Sequence, residues 1–286
     1  LEEGQRFSLT KLGVLASAFS MISPESARMI VAAYSWGCSV LDMVTIAAYL
    51  TMDVKSFTKS ATDEEIAARA PRKEINWNAV YKSGLPGFMS SPGMLYKIRL
   101  LIADDFIHGI ILFNAAKYII GTSEPRQSIN TLITWCDQNN INYEAVIDFI
   151  RARDDKIEEM LLFKMETFAS EDMSLAKSTQ ANFMDTITRI KYCIYDGYRN
   201  NMLIHGPTGY KTTSGVEVHL PSLFKENEIT MAANTEFGVY TSVLPAVVLY
   251  RELSINYNSM TLLYKITVEQ ISCMDGFVNI DPDFLI

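Results

Sequence analysis

The chain has 286 residues, is 49% apolar and 20% charged, and carries a formal net charge of −8. That length holds one large or two ordinary domains with a sizeable core, and the acidic balance argues against a dedicated nucleic-acid binder. Cys38, Cys136, Cys193 and Cys273 stand far apart with no CxxC pair, so their spacing suggests neither a zinc site nor a disulfide framework and points to a reducing, cytoplasmic or nuclear setting.

No apolar run reaches the roughly 18 residues of a membrane span, and no signal peptide is visible. The sequence begins at Leu1 rather than Met, which reads as a piece of a longer or a processed protein. In residues 1–22, Phe7, Leu9, Leu12, Leu15 and Phe19 are candidate buried positions and Gly13 a plausible breaker. Ser23-Pro24-Glu25 then predicts a helix start: Ser as N-cap, Pro in the first turn, Glu for the dipole. Ala27, Ile30, Val31 and Tyr34 supply its apolar face. Gly37-Cys38 separates it from a second helix over 41–52, with Cys38 as a small packing residue rather than a nucleophile.

Residues 55–95 are first charged, then rich in Gly and Pro, and read as an inserted loop with short helices. Helix is predicted again over 96–120 in two pieces, with Asp104 or Asp105 capping the second. Adjacent carboxylates at a helix start point apart, so a cap is the preferred reading over a metal site. Helices over 128–136 and from Tyr143 to about 168 flank an Asn-rich turn at 139–142, and 170–174 is a candidate linker.

The chain changes character between Cys193 and Ser222. Ile190, Ile194 and Tyr198 keep a helical spacing. Asn200, Asn201, His205, Gly206 and Pro207 stop it. Residues 208–212 and 216–220 read as strands joined at Ser214-Gly215, and 238–243, 246–255 and 261–270 as further strands. The fold class is therefore α+β, helices first. Charge is uneven: residues 173–225 net +3 and residues 226–286 net −6, so the positive excess falls at the transition, although chance scatter on a solvated surface predicts much the same.

Several chemistries are missing. Gly206-Pro-Thr-Gly209-Tyr210-Lys211-Thr212 falls short of a phosphate-binding loop, because Tyr210 separates Gly from Lys and no strand precedes it. There is no acidic Asp-Glu-x-His box. His108, His205 and His219 lack partners at metal-ligand spacing, and Ser222 near His219 has no Gly-x-Ser-x-Gly around it.

One ordered set of short motifs resembles the C-terminal region of DEAH-box (DEAH/RHA-type) RNA helicases. It comprises Leu9-Thr10-x-Leu12-Gly13; Pro24 with Arg28-Met29; Ile46-Ala47-Ala48; 105–114; Trp135-Cys136 with Asn139 and Ile150-Arg151; Asp196-Gly197-Tyr198 with Asn200 and Asn201; Tyr210; Val218-His219 with Pro221-Ser222; and Tyr250-Arg251-Glu252-Leu253. The pattern drifts: Leu220 and Pro221 stand where the family has Pro and Ser, and Asn256 to Met260 replace its hydroxyl-bearing run.

The resemblance implies the end of a winged-helix domain at 1–22, an all-α helical ratchet domain at 23–168 and an OB-like β-barrel at 175–286. It implies an accessory region that grips single-stranded RNA, with Arg199, Tyr210, Lys211 and His219 on the barrel side and Arg151 on the ratchet side; for Tyr210, filling the barrel is the competing reading. No catalytic residue, metal or cofactor is expected in this chain. ATP and magnesium would belong to upstream motor domains, making the parent an ATP-dependent helicase. Those domains and an activating protein on the OB-fold are the implied partners. A protein-interaction module without RNA contact is the alternative, and net charge favours it.

Overall fold

The architecture was read from a computed structural model, which describes residues 11–17, 19, 22–61, 73–85, 101, 104–124, 126–162, 174–179, 182–218, 247–258 and 263–274. The expectations for Leu9-Thr10, 163–168, 220, 238–243 and the last twelve residues lie outside these. Among the described residues the helices come first: α1 (Lys11–Ala16), α2 (Pro24–Trp36), α3 (Val40–Thr51), α4 (Trp77–Gly84), α5 (Asp105–Gly121), α6 (Ser128–Gln138), α7 (Tyr143–Leu162) and α8 (Phe183–Tyr198). Strands β1 (Met202–Gly206), β2 (Gly209–Thr212), β3 (Glu217–Val218), β4 (Val247–Asn258) and β5 (Leu263–Cys273) follow. The chain is thus α+β in the predicted order.

Local chemistry sets the helix ends. Ser23 accepts the Ser26 amide, Pro24 occupies the first turn, and Gly37 closes α2 at φ 62°, a left-handed conformation that costs glycine little. Ser39 caps α3 through the Asp42 amide and Asp104 caps α5 through the Ile107 amide. In the asparagine turn, Asn139 Nδ2 donates to Trp135 O at 2.8 Å and Asn142 Nδ2 to Ser56 O at 3.1 Å. Thr58 forms a bridge with Ile141. Residues 54–59 and α4 are consequently part of the helical core rather than a peripheral loop. Phe57 is fully buried, stacked on Tyr49 and edge-on to Phe149, and Tyr81 Oη donates to Leu101 O at 2.6 Å.

The Asp196-Gly197-Tyr198 motif docks α8 on α2. Trp36 Nε1 donates to Asp196 Oδ2 at 2.7 Å, and the Tyr198 and Ser26 hydroxyls share a hydrogen bond of 2.6 Å. A Cβ on Gly197 would lie 2.7 Å from Glu25 O and from Met29 Cβ, so only glycine permits this approach without a shift. Asn201 then accepts the Tyr250 amide on its carbonyl and donates its side chain to Arg251 O, which starts the sheet against β4.

The strands form one antiparallel sheet in the order β3-β2-β1-β4-β5. Residues 202–206, read from sequence as the helix stop, are strand β1; Pro207-Thr208 turn it into β2. Alternation gives the sheet two apolar faces. Met202, Val247 and Leu249 join the helical core, whereas Leu203, Tyr210, Val218, Val248, Tyr250, Val268 and Ile271 make a second cluster on the far side. Strand β5 runs past Gln270, where the sequence period ends. Gln270 sits at φ 53° and resets the alternation, so that Val268 and Ile271, three apart, reach the same cluster. Edge strands β3 and β5 approach one another, but no hydrogen-bonded pairing closes the barrel among the described residues.

A buried ionic cluster joins the two layers. The Lys191 ammonium of α8 pairs with Asp104, and both are fully buried. Lys191 also donates to Ser272 Oγ of β5 at 3.1 Å, and Ser272 donates to Asp104 Oδ2 at 2.7 Å. Asp105 Oδ2 accepts the Ile271 amide at 2.9 Å. At the other end of the core, Asp42 accepts the Leu175 amide and the Ser174 hydroxyl.

Two predictions follow from burial. Lys191→Met strands a buried carboxylate and should destabilise the chain by about 3–5 kcal/mol. Adding Asp104→Asn, which keeps the cap, should recover part of that loss; urea unfolding midpoints of the two variants decide it.

The second prediction concerns pH. Burial pushes the Asp105 carboxyl up to about 7, with Asp104 adding to the rise and the Ile271 amide opposing it, and pushes Asp42 up to about 6. A raised carboxylate contributes stability that is complete below about 4, its unfolded value, and is lost as pH climbs through the folded one. Thermal melts of Asp105→Asn and the parent should therefore favour the parent near pH 5 and converge or reverse by pH 8.

Candidate nucleic-acid interface

The residues proposed from sequence fall on three elements and one undescribed position. Arg151 stands on α7 with its side chain 73% exposed, 3.4 Å from Asp148. Helix α7 packs on α3 and α6, so the arginine belongs to the outer surface of the helical layer. Arg199 is exposed just beyond the end of α8. Tyr210 and Lys211 are neighbours on β2. His219 lies outside the described residues.

Adjacent residues of a strand point to opposite faces, and this separates Tyr210 from Lys211. The Tyr210 ring is only 6% exposed and belongs to the far-side cluster. Its cross-strand partner His205 meets it edge-on, with ring centroids 4.9 Å apart, and His205 is itself exposed. Lys211 lies on the face shared with Ile204, where Nζ is 3.3 Å from Glu217 Oε1; Thr208 Oγ1 donates to the same carboxylate oxygen. The sequence singled out the buried ring and passed over the accessible one, because an aromatic in a Gly-rich turn carries no signal of which way a two-residue period will point it.

Three of the six basic residues in 173–225 are engaged by carboxylates of the protein. Lys191 is buried against Asp104, Arg189 pairs with Asp185 at 2.8 Å, and Lys211 pairs with Glu217. Of that set, Lys177 and Arg199 are exposed among the described residues. Such surface pairs are worth little to stability, but each presents a phosphate with a carboxylate competitor.

The Gly206–Thr212 segment is a β-hairpin, with Gly209 at φ 119° after the Pro207-Thr208 turn. A phosphate-binding loop needs a strand, a loop and a helix N-terminus, so these residues do not fit a nucleotide. Lys191, Ser272 and Asp104 have the composition of a Ser-Lys catalytic pair, yet all three side chains are sealed from solvent; their role is structural. Among the described residues no group of three or more His, Cys, Asp or Glu side chains could hold a metal ion. No helix among them is long and apolar enough to cross a membrane. Cys38, Cys136 and Cys193 are buried, and burial pushes the Cys136 thiol up to about 12, which leaves it inert as a nucleophile.

No family model matches the chain. Its similarity to curated proteins runs end to end: the chain is 24% identical over 291 residues to a protein named "Putative RNA Helicase B962L" of African swine fever virus, isolate Pig/Kenya/KEN-50/1950. It is likewise 24% identical over 294 residues to the proteins of that name in the isolates Tick/South Africa/Pretoriuskop Pr4/1996 and Warthog/Namibia/Wart80/1980. In each case all of this chain is covered, and it spans 28% of the length of the relative. The chain is thus similar, over its whole length, to one region of larger proteins bearing the name of an RNA helicase.

Proposed function

We propose that this chain is the C-terminal accessory region of a divergent DEAH-type, ATP-dependent RNA helicase. Residues 1–22 would end a winged-helix domain, 23–168 form the ratchet domain and 175–286 an OB-fold. The observation that carries this reading is the end-to-end similarity to a 28% portion of proteins named as RNA helicases, joined to the helix-then-sheet order that the motif resemblance implies. ATP and magnesium would be handled by motor domains elsewhere in the longer protein, in the cytoplasm or nucleus. In this region Arg199 and Lys211, with Arg151 across from them and His219 beyond β3, meet the phosphates of single-stranded RNA. Tyr210 is the ring that supports His205 at the hairpin's exposed rim.

A second reading is favoured by one specific observation, the pairing of Lys191, Arg189 and Lys211 with carboxylates. On it, the region is a docking module for a protein partner and does not touch RNA. Salt dependence separates the two, because releasing counterions from RNA makes affinity fall steeply as salt rises.

Two outcomes are expected. The longer protein should unwind an RNA duplex with ATP, whereas the isolated chain should show no ATP turnover; turnover by the chain that a point change within it abolishes would overturn the assignment. In oligo(U) titrations of the longer protein, Lys211→Ala should lower the salt slope by about 0.7. Glu217→Gln, which removes the competing carboxylate, should raise affinity. Indifference to both changes would favour the protein-docking reading.

A further inference from the structure

Arg251 and Gln270 stand next to each other on β4 and β5, the strands that pack on α8 and α5. Arg251 Nη1 donates to Gln270 Oε1 at 2.9 Å. The Arg251 backbone is held in place by Asn201 Nδ2, which donates to its carbonyl at 3.3 Å. The residue is half-buried, and strand alternation puts it on the helix-facing side of β4 with Val247 and Leu249. Among the described residues no carboxylate pairs with it, unlike Arg151, Arg153 and Arg189.

Gln270 is the more unusual of the two. It is only 6% exposed, it adopts φ 53° inside a strand, and its Nε2 is buried with no hydrogen-bond partner. Buried amide donors are almost always satisfied, and left-handed backbone at a non-glycine residue concentrates at functional sites. Because Oε1 is fixed by Arg251, the planar amide necessarily holds Nε2 beside the same guanidinium. Among the described residues no acceptor meets the remaining Arg251 N–H groups or the buried Gln270 amide N–H groups beside them.

We propose that Arg251 and Gln270 form a phosphate-binding site, the guanidinium supplying the charge and the Gln270 amide a second, oriented donor. Its intended ligand is a backbone phosphodiester of single-stranded RNA, which rests on the RNA reading above; the same donors would hold free phosphate. The planar guanidinium suits this chemistry better than a lysine would, and the half-buried position strengthens the contact relative to one in open water.

The discriminating change is Gln270→Glu. It keeps the length and backbone of the residue and turns the donor into a carboxylate that pairs with Arg251. The expected results in the longer protein are a several-fold loss of oligo(U) affinity at low salt and a salt slope smaller by about 0.7, with an unchanged or higher melting temperature. Arg251→Met should give the same loss. A second arm uses inorganic phosphate against chloride at matched ionic strength: phosphate should raise the melting temperature of the parent chain and not that of Gln270→Glu. If the parent binds oligo(U) and neither variant alters affinity or slope, the site is overturned and the RNA reading stands. If the parent binds no oligo(U) but phosphate protects it in a Gln270-dependent way, the donor site stands for free phosphate and the RNA reading falls. If phosphate gives no protection and oligo(U) does not bind, both fall.

Discussion

The Lys191–Asp104–Ser272 cluster is the constraint on which the arrangement of the two layers depends. Three fully buried polar side chains come from α8, the cap of α5 and strand β5. Removing a carboxylate and an ammonium from water costs several kcal/mol each, so such a cluster persists only if its partners are held in register. Asp104 is held by its second task, accepting the Ile107 amide at the head of α5. Ser272 is held by the long β4–β5 ladder and by Ile271, whose amide is fixed by Asp105. An apolar contact at this junction would have tolerated sliding. An ion pair sealed from solvent does not, and the sheet is thereby committed to one orientation on the helices.

The helical layer was readable in the sequence because its signals are local. Ser23 and Asp104 are caps that act on amides three residues away, and the intervening apolar spacing does the rest. Strand β1 was not readable, since His205, Gly206 and Pro207 are the residues that stop a helix as well as those that end a short strand. The true end of β5 was hidden by Gln270, whose left-handed backbone makes Val268 and Ile271 face the same way and so breaks the two-residue period on which strand recognition relies. The ionic junction was hidden for a different reason. Asp104 lies 87 residues from Lys191 and 168 from Ser272, and nothing in a single sequence pairs charges across such distances. Lys191 therefore looked like surface charge.

That misplacement matters for function. A count of basic residues estimates the potential a nucleic acid would meet only if those residues are free to meet it. Here the count near the helix-to-sheet transition is reduced by one burial and two surface pairs. Among the described residues the rest is sparse: Lys177 and Arg199 are exposed before and after α8, and Arg251 stands on β4. A sparse, placed set of cations differs from a basic patch in what it can do. On the RNA reading proposed above, such a set would fix the position of a strand delivered by another domain rather than attract it from a distance against a net charge of −8.

The two apolar faces of the sheet lead to the same division of labour. One face is committed to the helices through Met202, Val247 and Leu249, and the other carries Tyr210, Val218 and Tyr250. Among the described residues, the Pro207-Thr208 turn and Arg199 at the seam between helices and sheet are exposed. The seam is where Asp196, Gly197 and Tyr198 fasten α8 to α2, where Asn201 begins β1, and where Arg251 emerges. Residues that hold the layers together and residues that could hold a phosphate are thus interleaved within a few positions of one another. A strand gripped at this seam would bear directly on the relative placement of the helices and the sheet, which is the coupling an accessory region needs if it is to convert motion of a neighbouring motor into movement along a single strand.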